Sequence, residues 1–316
     1  MREQILQILR EGGEISGEKL SCQFGISRAA IAKHIKALRA EGYIINAVPR
    51  RGYSFISAAD TLSAAEINCF LREKAASWQI HYKKELPSTN SKLRNLAVQG
   101  APHGTVVIAE HQLAGAGRFN RSWFSPPHSG IWMSFLLRPA LSPQIAQTMT
   151  LLTACAVARV LKSLGYACGI KWPNDVLCQN GRKLCGIKSE MCIDMDSVQW
   201  QITGLGLNVN ISEFPPPLHN SATSLYLLGK SVIQRAPLAA ALLDEIYRLY
   251  QILLQQGFAP LRQIWLSYAV SLGQLVRISN MHEEYYAIAR GLDENGYLLV
   301  ERAGQIQTVS GGDVFI

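Results

Sequence analysis

The 316-residue chain lacks several features that would place it in a class at once. It has no run of about eighteen apolar residues, so we expect no membrane span, and its N-terminus lacks the longer apolar core of a signal peptide. The seven cysteines include no Cys-x-x-Cys pair and have no histidines at zinc-finger spacing, which fits a reducing compartment. Only 17% of the residues are charged and 48% are hydrophobic, which is typical of a well-buried globular protein. We therefore expect a cytoplasmic protein with no membrane partner.

The length and the charge balance restrict the organisation and the partners. By the usual size of folding units, 316 residues should form two or three domains. A formal net charge of +8 favours polyanionic partners, which include nucleic acids and nucleotides. The positions of the basic residues must decide between them.

The first sixty residues predict a winged helix-turn-helix. Apolar residues at positions 5, 6, 8 and 9 give a first helix one buried face, and a second helix runs from about 16 to 24. Gly25 breaks the chain before a third helix over 28–41, and two short strands, 43–45 and 52–56, follow.

The third helix carries the features of a DNA-reading helix. Its outer face holds small residues with protruding lysines, which can enter a major groove, while flanking arginines can reach phosphates. The residues expected to contact DNA are Ser27, Arg28, Lys33, Lys36, Arg39, Arg50 and Arg51. A small helical domain with a solvated basic face is the alternative, because runs of charge are usually only solvated.

The rest of the chain alternates short apolar strands with longer helical patterns. We expect strands at 105–109, 131–137 and 201–205, and a helix over 143–164. This pattern predicts an α+β fold with helices packed on a mixed sheet, followed by short strands separated by turns. The expected domains are 1–60, 61–268 and 269–316.

A glycine loop (residues 110–123) carries two arginines and ends on Trp123. Gly115 and Gly117 let the main chain lie against a ligand, and Arg118 and Arg121 offer planar forks suited to phosphate or carboxylate. It is neither a Walker loop, since no Gly-Lys-Ser/Thr follows, nor a dinucleotide fingerprint, since asparagine stands at the third glycine position. The loop predicts a nucleotide-handling site, with a mobile surface loop as the alternative.

A second motif, Lys171-Trp-Pro-Asn-Asp175, forms a turn in which proline and tryptophan restrict the backbone. Lys171 could neutralise charge on a transferring carboxylate or phosphate, although a well-packed turn is the simpler interpretation. Three weaker segments accompany it: Ser88-Thr-Asn90, Arg182-Lys-Leu-Cys-Gly-Ile187 and Gly204-Leu-Gly-Leu-Asn-Val-Asn210.

In this order, these segments resemble the biotin protein ligases, and the winged helix resembles that of the bifunctional members that also repress biotin synthesis genes. The resemblance spans nearly the whole chain, and its most specific parts are Lys-Trp-Pro-Asn-Asp and the Trp-Phe-Ser-Pro that closes the glycine loop. It implies a ligase-like mixed-sheet domain and a C-terminal SH3-like β-barrel.

The resemblance also implies a reaction. Biotin and ATP, with Mg²⁺, would give biotinyl-5'-AMP, and a lysine of a biotin carboxyl carrier protein of acetyl-CoA carboxylase would then take the biotinyl group. The adenylate would also be the corepressor, promoting a homodimer that binds operator DNA. A biotin-sensing repressor without ligase activity and a ligase for another acyl acid such as lipoate are the alternatives.

Residue roles follow from motif position. The resemblance assigns catalysis to Lys171 and Arg118. Biotin or its adenylate would be bound by Ser88, Thr89, Asn90, Gln112, Gly115, Ala116, Gly117, Arg118, Lys171, Gly186, Gly204 and Gly206. The nucleotide would be bound by Arg121, Trp123, Asn174 and Asn208. The metal ligands stay unknown, since Asp175 could instead brace its turn.

The glycine loop is the least typical part of the resemblance. Relatives usually have Gly-Arg-Gly-Arg-Arg-Gly, whereas this chain has Gly115-Ala-Gly-Arg-Phe-Asn120. Ala116 removes a cation beside the biotin carboxylate and the phosphate, so weaker retention of the adenylate is our hypothesis.

Overall fold

The structure is a computed structural model that describes residues 1–11, 13–40, 42–48, 51–57, 60–73, 77–139, 141–195, 197–280 and 283–316. Within these residues the strands form three sheets, of three, seven and five strands. The three sheets follow one another along the chain, and each has a hydrophobic core beside it.

The N-terminal segment folds as a helix-turn-helix with a wing, as predicted. Its elements are α1 (Arg2–Glu11), β1 (Glu14–Ile15), α2 (Gly17–Phe24), α3 (Arg28–Ala40), β2 (Ile44–Val48) and β3 (Gly52–Ser57). The Ser16 hydroxyl accepts a backbone hydrogen bond that begins α2, and Gly25 ends this helix at φ 63°. Ile31, Ile35 and Leu38 are buried on one face of α3, which leaves the lysine face to solvent.

The central sheet is mixed, as predicted. Its strands are β4 (Gln79–Leu86), β5 (Thr105–Gln112), β6 (Gly130–Leu137), β7 (Cys168–Lys171), β8 (Asp175–Cys178), β9 (Lys183–Asp194) and β10 (Ser197–Asn208). They lie in the order β4-β5-β6-β10-β9-β8-β7; β4 and β5 are parallel, and the other neighbours are antiparallel. The long β9 and β10 therefore lie at the centre and β7 at an edge.

Helices cover both faces of this sheet. They are α4 (Ala64–Phe70), α5 (Thr89–Val98), α6 (Pro143–Ala146), α7 (Met149–Ser163), α8 (Leu225–Gly229), α9 (Arg235–Gln256) and α10 (Ala259–Tyr268). Val106 belongs to the core shared with α7, α9 and α10, and Val107 to the core shared with α5. Since successive side chains of a strand point to opposite faces, α5 lies on the face opposite to the large helical layer.

The predicted single helix over 143–164 is wrong, because α6 and α7 are separate. The Thr148 hydroxyl donates to the Ile145 carbonyl at 2.6 Å, which competes with helical backbone bonding at the break. By length and composition, Pro143–Ser163 is the one described segment that could cross a membrane, but 72% of that apolar window is buried inside the protein. It is a core element of the central domain.

The C-terminal segment forms an antiparallel sheet consistent with an SH3-like fold. Its strands are β11 (Leu275–Ser279), β12 (Glu284–Leu292), β13 (Leu298–Arg302), β14 (Gln305–Val309) and β15 (Asp313–Phe315), in the order β14-β13-β12-β11-β15. The first four residues of β14 are all exposed, so this strand lacks a buried face. The Trp172 indole donates to the Gly296 carbonyl at 3.1 Å and joins this sheet to the central domain.

Candidate active site

A cleft opens where the start of α5, the glycine loop, β9 and β10 meet. The predicted site residues that line it are Ser88, Thr89, Asn90, Gln112, Ala116, Gly117, Arg118, Arg121, Trp123, Asn174, Gly186, Gly204, Gly206 and Asn208. Gly115 and Lys171 are not among the lining residues. The motifs that are scattered along the sequence therefore converge on one cavity.

The first turn of α5 supplies one polar wall. Ser88 is the N-cap, and its hydroxyl accepts from the Ser91 amide at 3.5 Å. The next residue, Thr89, donates its backbone N–H to Gln112 Oε1 at 2.8 Å, which ties the helix to the end of β5. Ser88, Thr89 and Asn90 are all more than nine-tenths buried, so their remaining polar atoms are directed at a largely desolvated space.

Glycines allow side chains to approach the floor of the cleft. A Cβ at Gly204 would lie 1.9 Å from Asn90 Oδ1, and a Cβ at Gly206 would lie 2.4 Å from the Trp123 indole nitrogen. A Cβ at Gly186 would meet the same indole at 2.9 Å. The aromatic ring that packs against Gly186 and Gly206 is therefore that of Trp123, which the resemblance assigns to nucleotide binding.

The glycine loop closes on itself as a short hairpin. The Trp123 amide donates to the Gly115 carbonyl and the Gly117 amide to the Arg121 carbonyl, both at 2.8 Å, while Ala116 forms an antiparallel bridge with the opposite strand of the loop. Gly115 thus has a structural role behind the cleft, since a Cβ there would meet a backbone carbonyl at 2.9 Å.

Two of the three residues that depart from the family pattern, Phe119 and Asn120, lie at the hairpin tip. Phe119 has φ 53° and Asn120 has φ 56°, in the left-handed region that favours glycine, and asparagine tolerates it better than most residues. The exposed Phe119 ring lies 5.1 Å from the Arg118 guanidinium and 5.7 Å from that of Arg121. The phenylalanine thus contacts both arginines through cation–π geometry.

The C-terminal domain holds these arginines. Arg118 donates to Asn174 Oδ1 at 3.2 Å and to the Gly312 carbonyl at 2.9 Å, and Arg121 lies 2.5 Å from an oxygen of Asp313. Burial lowers the pKa of Arg118, and the carboxylate of Asp313 opposes that effect. A guanidinium stays charged under these conditions, so two cations border the cleft beside Asn174.

Lys183 and Lys188 line the cleft, and neither is among the site residues predicted from the sequence. Of the two, Lys183 lies beside the glycine loop. Its ammonium lies 2.6 Å from Asp175 Oδ1 and 5.3 Å from the Trp123 ring centroid. The Lys171 ammonium lies 3.4 Å from Asp175 Oδ2 and outside the cleft, because β7 is the edge strand, three strands from β10 in the sheet order. The segment 182–187 carried the missed signal, a lysine three residues before a cleft glycine.

The far end of the cleft is apolar, but it contains one buried acceptor atom that needs a hydrogen-bond donor. Phe214, Leu218 and Ala222 line it beside Asn208. The Asn208 amide nitrogen donates to the Thr223 carbonyl at 3.0 Å, while its buried Oδ1 has no hydrogen-bond partner among the described residues. An unpaired buried acceptor is costly, so this atom favours a ligand that carries an N–H.

The residues expected at DNA lie on the N-terminal domain. Exposed side chains are those of Ser27, Arg28, Lys33, Lys36, Arg39 and Arg51. Arg39 also donates through Nε to the Ile45 carbonyl at 2.8 Å, and Arg51 lies 3.4 Å from Glu14. Arg50 lies outside the described residues. The lysine face of α3 is thus free of the domain core and available to a polyanion.

Comparison with known proteins agrees with this architecture. Three family models match: an HTH domain over residues 1–54, the biotin/lipoate A/B protein ligase family over 82–208, and the biotin protein ligase C-terminal domain over 271–316. The bifunctional ligase/repressor BirA of Bacillus spizizenii is 37% identical over 319 residues, which covers 99% of this chain and 98% of that protein. BirA of Escherichia coli is 30% identical, with coverage of 98% and 95%.

Solved structures give the same result. The biotin protein ligase of Aquifex aeolicus in complex with biotin and ATP superposes with a TM-score of 0.66 at 26% identity, covering 75% of this chain and 97% of that one. The match in sequence extends over nearly all of this chain, through the DNA-binding, catalytic and C-terminal segments. The chain belongs to the biotin protein ligase family, with the domain organisation of its bifunctional ligase/repressor members.

Proposed function

We propose that this chain is an ATP-dependent biotin protein ligase and a repressor of biotin synthesis genes. The observation that carries the proposal is one cleft that combines a buried polar wall, four cationic side chains (Arg118, Arg121, Lys183 and Lys188) and an unpaired acceptor at its apolar end. These features suit, in turn, the polar ring of biotin, the phosphates and the adenine. Relatives over the whole chain are named as ligase/repressors, which supports the same conclusion.

In the first step the biotin carboxylate attacks the α-phosphate of ATP, which gives biotinyl-5'-AMP and pyrophosphate. Two anions must approach each other, so fixed positive charge at the developing phosphorane is the main requirement. We assign this role to Lys183, with Arg118 and Arg121 on the phosphates, in place of Lys171. At an effective dielectric constant of about 20, a cation at about 4 Å stabilises a unit charge by roughly 4 kcal/mol.

Nucleotide recognition is assigned to the apolar end of the cleft. Asn208 Oδ1 would accept from the adenine amino group, and residues 211–223 would close over the ring. We also assign Trp123 and Asn174 to the nucleotide, since both line the same cleft. The assignment gives the buried Asn208 oxygen the partner that it otherwise lacks.

Magnesium would arrive with ATP. Among the described residues no cluster of three or more His, Cys, Asp or Glu side chains is suited to a metal ion. Mg²⁺ in nucleotide sites commonly uses one or two carboxylates together with phosphates and water, and Asp175 lines the cleft. The cleft therefore fits an ion that is held mainly by the phosphates of the nucleotide, with Asp175 as its protein ligand. The ion would further neutralise the charge of the phosphates.

In the second step the ε-amine of a carrier lysine attacks the biotinyl carbonyl and AMP leaves. The mixed anhydride hydrolyses in bulk water, so the glycine loop would retain it until the carrier binds. The native acceptor would be the biotin carboxyl carrier protein of acetyl-CoA carboxylase in the cytoplasm.

The regulatory half of the proposal links the same adenylate to DNA. Biotinyl-5'-AMP would act as corepressor by ordering loops that allow two chains to pair, and the paired winged helices would bind a two-fold operator. Sedimentation with and without biotin and ATP tests the pairing, and an unchanged sedimentation coefficient would contradict it.

The activity is tested by transfer of labelled biotin to a carrier domain, run beside lipoate. We expect biotin to be transferred and lipoate not. Transfer of lipoate would identify a ligase for another acyl acid, and operator binding without any transfer would identify a biotin-sensing repressor.

A further inference from the structure

Asp313 is an acidic residue in the part of the cleft that is assigned to phosphates. It lies on β15 and lines the cleft together with Arg118 and Arg121. It is not among the site residues predicted from the sequence. A carboxylate at this place repels the triphosphate that the two arginines attract, so it acts on the binding of ATP.

Both arginines of the glycine loop already have partners on the C-terminal domain. Arg121 Nη2 lies 2.5 Å from Asp313 Oδ2, and Arg118 Nη1 lies 3.8 Å from Asp313 Oδ1. Arg118 Nη2 donates to the Gly312 carbonyl at 2.9 Å, and Nη1 donates to Asn174 Oδ1 at 3.2 Å. Both terminal nitrogens of Arg118 and one of Arg121 are therefore held by oxygen atoms of the protein.

These contacts compete with a phosphate. A guanidinium binds phosphate best through two parallel N–H donors. Arg118 does not offer its two terminal nitrogens while Gly312 and Asn174 hold them, and Arg121 shares its donors with a carboxylate. Asp313 and the triphosphate have charge of the same sign, so they do not share one guanidinium favourably. ATP can therefore bind both arginines fully only when Asp313 releases them.

The strand that carries Asp313 is lightly attached to its sheet. β15 has three residues and lies at the edge of the five-stranded sheet, where β11 is its one neighbour in the described strand order. Two glycines precede it, and Gly312 has φ 124°, which favours glycine. Within the strand Val314 is buried, whereas Phe315 is exposed. Such a segment can shift without unfolding the rest of the sheet.

We propose that Asp313 is a positioning residue that competes with the triphosphate: it pairs with Arg118 and Arg121 in the ligand-free cleft, releases them when ATP binds, and pairs with them again after pyrophosphate has formed. The inference rests on the proposed function, since it takes ATP as the ligand of these arginines. The exchange favours the departure of pyrophosphate. The adenylate keeps only the α-phosphate and so stays bound while the loop returns to the C-terminal domain.

The experiment measures the binding of α,β-methylene-ATP, which carries a triphosphate but cannot release pyrophosphate. The analogue is titrated by calorimetry into the full chain with Mg²⁺ and saturating biotin. Asp313→Asn should bind it about fivefold more tightly than wild type, because a partly exposed ion pair no longer has to break. The matched control is Glu301→Gln, which removes a carboxylate from the same domain, one that lies 2.7 Å from Arg290 and outside the cleft. It should leave the affinity unchanged.

A double-mutant cycle separates competition from simple repulsion. In the Arg121→Gln background the close pair is already absent, so Asp313→Asn should change the affinity less than about twofold. A carboxylate that only repels phosphates would give the same gain in both backgrounds. That result would overturn the inference, as would unchanged or weaker binding of the analogue by Asp313→Asn in the wild-type background.

A second measurement uses the unmodified chain and so does not depend on the folding of a variant. Amide hydrogen exchange of residues 310–316 should become faster when the analogue binds in the presence of biotin, because β15 loses its contact with the loop. Exchange that stays the same or becomes slower would overturn the inference while nucleotide binding stands. A wild-type chain that binds biotin but not the analogue would overturn the proposed function, and the inference with it.

Discussion

Our assignment of the catalytic cation to Lys183, where the motif predicted Lys171, gives the sharpest prediction. Lys183 lines the cleft and Lys171 does not, although both ammonium groups contact Asp175. Removing a cation that acts only on the developing phosphate charge should cost roughly 3–4 kcal/mol, or about 10²–10³-fold in rate. We therefore expect this loss for Lys183→Ala and less than about tenfold for Lys171→Ala, which removes only one partner of a carboxylate that keeps the other.

The assay is single-turnover formation of biotinyl-5'-AMP from biotin and labelled ATP without a carrier protein. Lys183→Arg is the matched control, because it keeps the charge and should recover part of the rate. Thermal unfolding of each variant separates a loss of chemistry from a loss of fold. The assignment is refuted if Lys171→Ala is as slow as Lys183→Ala, or if Lys183→Ala remains within a few-fold of wild type.

Four further predictions concern separate parts of the molecule. Gly204→Ala adds a Cβ that would lie 1.9 Å from a wall amide oxygen, so biotin affinity by calorimetry should fall at least about tenfold, and unchanged affinity would contradict the close packing. Ala116→Arg restores a cation, so escape of biotinyl-5'-AMP in a chase experiment should slow; an unchanged rate would mean that the charge is supplied elsewhere. The double variant Lys33→Ala, Lys36→Ala should bind the operator more weakly. The slope of log binding constant against log salt concentration should become shallower by about 0.9 for each phosphate that the variant no longer neutralises. An unchanged slope would show that these lysines do not contact the DNA. Burial by itself would raise the folded-state pKa of Glu190, but hydrogen bonds from Asn90 and Arg94 and the charge of Lys188 lower it, so its ionised form stabilises the native state above the unfolded pKa and this contribution is lost as pH falls through the folded pKa. The free energy of unfolding, measured by urea denaturation, should therefore fall more over that acidic range in wild type than in Glu190→Gln, and equal pH dependence would contradict the contribution of this carboxylate.

The sequence predicted the features that depend on local pattern. Apolar residues at helical spacing in α1 and the break at Gly25 before α3 predicted the helix-turn-helix, because each acts within a few residues along the chain. The hydrophobic strands β5, β6 and β10 were found for the same reason, and all three lie within the central sheet. The domain boundaries after residues 60 and 268 stay predictions.

The sequence could not predict what depends on the order of strands. Lys171 and Lys183 each precede a motif glycine or proline, but only the sheet order places β9, the strand of Lys183, directly beside β10 and leaves Lys171 on the edge strand. Likewise, Asp313 contacts Arg121, and Glu190 contacts Asn90, although the members of each pair are far apart in the sequence. Such contacts are set by topology, which a linear pattern does not encode.

The central claim is that this cleft makes and holds biotinyl-5'-AMP. The most direct measurement mixes the protein with stoichiometric biotin and α-labelled ATP in the absence of carrier, separates protein-bound label from free nucleotide, and identifies the bound species. The account predicts one equivalent of bound biotinyl-5'-AMP, formed with biotin and not with lipoate. Bound label that requires lipoate, or no adenylate from a folded chain that binds biotin, would contradict it.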